Sequence, residues 1–432
     1  MRRWGPGSGL GLLITGALLS SCSRSEDSQP QKAAAKPQVA SSSAPAPAIG
    51  PSSLPAVSSA VPADSLLPES GAPEPAVAAA PSGPPLSTDQ TTLAQSINQA
   101  SPIPAAKSAG PAKPSSRKRA GASDPVLIRA EALLDRAGFS PGAIDGKDGE
   151  NLQHALAAYA QAHGAASTTP AKSGSVDEAV WTALAAADAA PAVQGYQITD
   201  ADVAGPFIGK PPTDYRQLAA LPALAYSGPD QLLSEKFHMD PALLRALNPG
   251  ADFSKAGAVI LVVAPRDGPR AFKAKRIEVD KTLEVVRVFD DAGQLAAFYP
   301  ASVGSTERPA PSGTFAVQAV SPRPAYYYDP ARLTFAPAGV KGKLRIAPGP
   351  NNPVGSTWIS LTLPTYGIHG APDPTLIGKR QSHGCVRLTN WDAVELGKAV
   401  KKGVEVDFLG QEQAKETRGS GARVGRKAGR RA

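Results

Sequence analysis

The residues able to do chemistry gather in one short stretch: Tyr366-Gly367-Ile368-His369-Gly370, then Ile377-Gly378, then Ser382-His383-Gly384-Cys385-Val386-Arg387-Leu388. Cys385 is one of only two cysteines in 432 residues, the other being Cys22. It sits beside glycine, with His383 two residues earlier and His369 a further 14 residues upstream. A thiol becomes a strong nucleophile when an imidazole takes its proton or stabilises the thiolate. Gly384, without a side chain, lets backbone N–H groups near Cys385 face a developing oxyanion. A cationic Arg387 favours both the thiolate and an anionic substrate.

Two other readings of these residues exist. Two histidines and a cysteine could hold Zn²⁺ with an open position, but that reading needs more ligands, and a lone glycine-embedded thiol suits nucleophilic duty better. A reduced core cysteine with structural histidines is the blander alternative, and a secreted protein has little reason to keep a free thiol. His154, His163 and His238 have no partners at ligand spacing and are expected to be surface or core histidines.

The elements that position this stretch follow from periodicity. From Lys275 the pattern has a period of two, with Ile277 and Val279, then Leu283, Val285 and Arg287 alternating, and Asp290-Asp291-Ala292-Gly293 turning the chain into Leu295–Tyr299. Further β-like runs are Gly313–Val317 and Trp358–Leu363, and one helix is expected near Trp391–Lys402. Upstream the period is helical. Val126, Leu127, Ala130, Leu133, Leu134 and Ala137 precede a stop at Gly138, followed by helices marked by Leu152–Tyr159 and Val176–Leu184. The turn at Asp145–Gly149 is not a calcium loop, because the twelfth position is Leu156 rather than glutamate.

Composition bounds the rest. Residues 23–120 hold 17 of the 44 prolines and no aromatic residue, with alanine and serine filling most of the remainder. Such a segment buries too little apolar surface to offset its ordering entropy. As a coil it would span about 55 Å, and as polyproline II about 300 Å. Two cysteines exclude a disulfide framework and a cysteine-rich zinc site. The formal charge of +8 is local: the tail 411–432 holds seven Lys/Arg against two Glu. Like-charge termini are usually solvated, so no specific nucleic-acid partner is expected. At the other end, Arg2 and Arg3, an apolar stretch from Leu10 to Leu19 and Leu19-Ser20-Ser21-Cys22 form a secretory signal too short to span a membrane.

Several of these features resemble known families. Leu19–Cys22 resembles a bacterial lipobox, which implies lipidation of Cys22, a periplasmic protein and, with Ser23 following, the outer membrane. His369-Gly370 followed by Ser382-His383-Gly384-Cys385-Val386-Arg387 resembles the catalytic signature of the YkuD-type L,D-transpeptidases. The stretch Pro348–Gly355 and the pair Thr389-Asn390 also fit that family. The resemblance implies that Cys385 is the acyl-forming nucleophile, His369 its proton acceptor and donor, and His383 a loop-shaping, polarising group. It further implies an oxyanion hole at the Gly384 and Cys385 amides, a carbonyl at Gly370 that orients the histidine, and Arg387, with Ser382 and Gly370, at the substrate. No cofactor or metal is required. The partner would be peptidoglycan: a donor tetrapeptide stem loses D-Ala, and an amine of a neighbouring stem gives a diaminopimelate-to-diaminopimelate cross-link. Carbapenems would acylate Cys385. Water, a D-amino acid or an envelope protein remain alternative acceptors, and a non-enzymatic peptidoglycan-binding tether a further alternative.

Residues 124–188 resemble a three-helix peptidoglycan-binding domain through Gly138-Phe139, Ile144-Asp145-Gly146 and Val180-Trp181. The two short helices and closing strand of 230–263 resemble a LysM module, with a first strand hinted only by Tyr226. The expected architecture is thus multidomain: signal 1–22, disordered linker 23–123, helical domain 124–190, LysM-like α+β module 196–266, a mainly-β catalytic domain 273–409 of the YkuD β-sandwich type, and a basic tail 410–432.

Overall fold

The computed structural model describes residues 84–102, 123–165, 176–266, 268, 270–305, 308–330, 340, 342–379, 382 and 384–412. Cys22, His383, the signal sequence and most of the linker and tail lie outside the described residues. Among the described residues no helix is long and apolar enough to cross a membrane.

The first element corrects the sequence reading. Residues Thr88–Asn98, inside the segment expected to be structureless, form helix α1, opened by a capping box between Ser87 and Gln90. Ala94 and Ile97 are buried, and the Asn98 side chain caps the next module, donating to the Val193 carbonyl (3.0 Å) and accepting from the Ala192 and Val193 amides. Only two large apolar residues, Leu93 and Ile97, mark this helix in the sequence, so its order depends on the surface it covers.

Helices α2 (Pro125–Ala137), α3 (Glu150–Ala162) and α4 (Glu178–Ala187) follow where the periodicity placed them. Asp124 and Asp177 cap the first and third, and Gly138 ends α2 at φ 86°, a left-handed stop that favours glycine. Their apolar faces, including Leu133, Leu134, Tyr159 and Trp181, share one core with Val285 and Phe298 of the catalytic region. The helices are therefore packed onto the β-structure.

Strand β1 (Val193–Gln197) leads through α5 (Asp200–Val203), α6 (Tyr215–Ala220), α7 (Pro229–Lys236) and α8 (Pro241–Leu247) to β2 (Val259–Val263), which pairs antiparallel with β1. The opening strand thus lies at 193–197 and crosses the expected boundary at 196. Tyr226 is in no strand; its hydroxyl donates to Glu235 instead (3.1 Å).

The remaining strands are β3 (Arg276–Asp280), β4 (Val285–Phe289), β5 (Leu295–Pro300), β6 (Ser302–Val303), β7 (Gly313–Pro322), β8 (Tyr326–Tyr328), β9 (Leu344–Ile346), β10 (Thr357–Leu361), β11 (Gly367–His369), β12 (Val386–Arg387) and β13 (Glu405–Leu409), with helix α9 at Asn390–Ala399 before the last. Nine of them form one sheet in the order β5-β4-β3-β13-β7-β10-β11-β12-β6, while β8 and β9 make a separate hairpin. The expected sandwich of two sheets is in fact one continuous, barrel-like sheet. The ten-residue β7 makes it so, because Gly313–Ala316 pair with β13 while Val317–Pro322 pair with β10. Ile277, Val279, Val286 and Val288 of one half then meet Ile359, Ile368, Val386 and Leu388 of the other in a single core. Burying both inner faces against each other is what folds the sheet back on itself.

Candidate active site

Strands β11 and β12 run parallel, with Ile368 opposite Val386 and His369 opposite Arg387. Side chains alternate along a strand, and registered neighbours share a face. Ile368, Val386 and Leu388 belong to the core, so His369 and Arg387 are on the other face, and Cys385 lies in the bend directly before β12, where the Arg387 charge acts on it. A strand pair of two to three residues thus sets side by side His369 and Arg387, which the sequence separates by 18 positions.

His369 is buried at 4% exposure. Its Nδ1 lies 2.7 Å from the Gly370 carbonyl, which can only accept, so Nδ1 carries the proton and Nε2 is left for acid–base work. The ring stacks on Trp358, its cross-strand partner, at 5.4 Å between centroids and 27° between planes. Burial, with the nearby Arg387 charge, lowers its pKa to about 3 despite the Gly370 hydrogen bond. The imidazole is therefore neutral at neutral pH, with Nε2 unprotonated.

Cys385 is a free, half-buried thiol whose Sγ lies 3.8 Å from the Thr365 carbonyl. Burial pushes its pKa up, against the pull of the Gly367 amide and the Arg387 charge. The resting pair is accordingly a neutral thiol and a neutral imidazole. Arg387 favours the thiolate, as the sequence suggested, yet burial outweighs it.

The loop before Cys385 is built by Ser382. This residue, assigned to the substrate from the sequence, is 2% exposed. Its hydroxyl donates to the Cys385 carbonyl (2.5 Å) and accepts from the amides of Gly384 (3.1 Å) and Gly304 (2.7 Å). Ser382 therefore shapes the loop, and the Gly384 amide, a candidate oxyanion donor, is engaged with it. Gly384 has φ +119°, a conformation that favours glycine. Gly370 faces the buried Asn390 side chain, so its part is the carbonyl that holds His369.

Sequence reasoning missed the aromatic residues here. Tyr215 of α6 packs edge-on against Tyr326 and Tyr328 of the β8–β9 hairpin, at 6.1 and 5.3 Å. Burial lowers the Arg387 pKa, and Cys385, Tyr215 and Tyr326 act on it electrostatically in the opposite sense. The Tyr326-Tyr327-Tyr328 run was the one available signal; nothing in the sequence joins Tyr215 to it. The other histidines take structural roles: His238 stacks on Trp391 and pairs with Asp135 (2.9 Å), and His163 packs against Tyr159.

Comparison with known proteins finds similarity over the same part of the chain. The model of the YkuD family, the L,D-transpeptidase catalytic domain, matches residues 274–407. A protein of Bacillus licheniformis carrying the name L,D-transpeptidase YkuD is 29% identical over 167 residues, covering 39% of this chain and 84% of its own. One of the same name from Bacillus subtilis is 40% identical over 74 residues, covering 17% of this chain and 45% of its own. Among solved structures, L,D-transpeptidase 3 of Mycobacterium tuberculosis with a faropenem-derived adduct aligns at 21% identity and a TM-score of 0.27, over 35% of this chain and 67% of its own. Residues 274–407 are thus an L,D-transpeptidase catalytic domain of the YkuD family, a family of transferases that act on peptidoglycan.

Proposed function

We propose that this chain cross-links peptidoglycan by ping-pong acyl transfer through a thioester on Cys385. The observation that carries the reading is the β11–β12 register, which sets a neutral His369 beside Arg387, two residues after Cys385, so that one guanidinium acts on both. Nε2 of His369 takes the thiol proton as Sγ attacks the carbonyl of the diaminopimelate residue in a tetrapeptide stem. The amide of Cys385 itself stabilises the oxyanion. As the tetrahedral intermediate collapses, the imidazolium returns its proton to the departing amine and D-Ala leaves. The amine of a second stem then attacks the thioester, giving its proton to His369, and the thiolate leaves and is reprotonated. Arg387 holds a substrate carboxylate.

Around this centre, residues 124–190 and 196–266 serve as wall-binding modules, and lipid on Cys22 anchors the protein to the outer membrane from the periplasmic side. The helix–turn–helix pattern and the β1–α7–α8–β2 arrangement support the first statement, and the lipobox-like Leu19–Cys22 supports the second. The test is product analysis of purified sacculi by mass spectrometry. Cross-linked dimers with released D-Ala are expected from the wild type and absent with Cys385→Ala. Release that persists in that variant refutes the mechanism, while exchange or hydrolysis products without dimers refute the proposed acceptor.

A further inference from the structure

Helix α7 directs the Glu235 side chain across to the catalytic domain. The carboxylate is largely buried; Oε1 accepts from the Tyr226 hydroxyl (3.1 Å) and Oε2 from Nδ2 of Asn390 (3.0 Å), 155 residues away in the catalytic domain. Asn390 is 1% exposed and opens α9, three residues after Arg387. Its Nδ2 also donates to the Pro350 carbonyl (3.1 Å), and its Oδ1 accepts from the Ser356 amide (2.9 Å). With Oδ1 accepting and both Nδ2 hydrogens donated, the amide has one orientation.

That orientation reaches the catalytic histidine by contact. A Cβ at Gly370 would lie 2.3 Å from Oδ1 of Asn390, and one at Gly355 would lie 2.2 Å from it, so the amide rests directly on both glycines. Gly370 is tied to Thr357 through its amide (3.2 Å), and its carbonyl is the group that holds Nδ1 of His369. Removing the Glu235 carboxylate would leave a buried Nδ2 hydrogen without an acceptor, a state costly enough to turn or shift the amide. With no space at Gly370, the shift passes to the peptide that orients the imidazole.

We infer that Glu235 is a positioning residue for acyl transfer, acting through Asn390 and Gly370 to keep the imidazole of His369 aimed at Cys385. The inference rests on Cys385 and His369 being the reacting pair. It means that the YkuD domain, residues 274–407, lacks one of the groups that set its own catalytic geometry; the segment before it supplies that group.

The test is alkylation of Cys385 by iodoacetamide in the full chain between about pH 6 and pH 10, with thermal melts of each variant. Where the thiol is protonated, attack needs His369 as base; where it ionises unaided, the base is irrelevant. Glu235→Ala and Asn390→Ala are expected to alkylate about tenfold more slowly near neutral pH and to converge on the wild-type rate at alkaline pH. Glu235→Gln, whose carboxamide oxygen can accept from Asn390, stays within about threefold of wild type. Asn390→Asp keeps the size of the side chain but sets a second carboxyl against Glu235, and is expected to behave as the alanine variants do. This variant decides the matter if alanine at 235 prevents folding. A wild-type profile in folded Asn390→Asp or Asn390→Ala, or slowing that is equal at every pH, overturns the inference. D-Ala release is followed in parallel: an unmutated chain with a His369-dependent alkylation profile and no release refutes the transpeptidase reading alone.

Discussion

A Cβ on Gly367 would stand 2.6 Å from the indole of Trp358, the ring that stacks on His369. The smallest residue of β11 thus leaves the space in which the histidine's neighbour lies. Gly367→Ala should push the indole aside and with it the face on which the imidazole rests. Overpacking of this kind costs about 1–3 kcal/mol. We expect kcat for D-Ala release to drop about tenfold with little change in KM, since a misplaced base slows chemistry more than binding. Steady-state kinetics on tetrapeptide stems checks this, and an unchanged kcat would show that Trp358 has room to yield.

Arg387 acts on both Cys385 and His369. Its charge draws the Cys385 pKa down against burial and lowers that of His369. In Arg387→Gln the thiol should ionise at higher pH than in the wild type, while Arg387→Lys, keeping the charge, should lie between. Thiolate absorbance in the ultraviolet during a pH titration reads the midpoint. The reverse displacement, or none, would mean that solvent screens the guanidinium from the thiol.

Asp392 makes stability fall with rising pH. Its carboxyl, buried on α9 and accepting from the Ser140 hydroxyl (3.0 Å), has its pKa raised from 3.8 to about 8, chiefly by burial. The unfolded chain releases that proton near pH 3.8 and the folded chain only near 8, so the stabilisation is full below the first value and is lost as pH rises through the second. Asp392→Asn should flatten the decline in Tm between about pH 5 and pH 8. Calorimetry across that range tests it, and parallel slopes in the two proteins would remove Asp392 as the source.

Ile97 tests the helix that composition concealed. It is fully buried in the core that includes Val193, Leu244 and Ile260. Ile97→Ala should cost about 2–5 kcal/mol in chemical denaturation. A free linker in that position would give no change, and such a result would remove α1 from the folded body.

The sequence by itself determined most of the elements and marked the residues proposed to do the chemistry. The cysteine and histidine types at their spacing pointed to acyl transfer, and capping residues such as Asp124 and Gly138 set the ends of α2. These are local properties, carried by neighbouring residues whatever the rest of the chain does. Only the tertiary structure decided that the Ser382 hydroxyl is engaged within its own loop, that β7 joins two expected sheets into one, and that α1 is ordered. It also brought Tyr215 and Glu235, from the segment before the catalytic domain, to the Tyr326 hairpin and to Asn390. Such pairings depend on which surfaces remain to be buried once the chain has closed, and contacts across 155 residues leave no periodicity, cap or spacing to read. The protonation of the pair belongs to the same class: His369 and Cys385 are neutral because of burial, which no single residue carries.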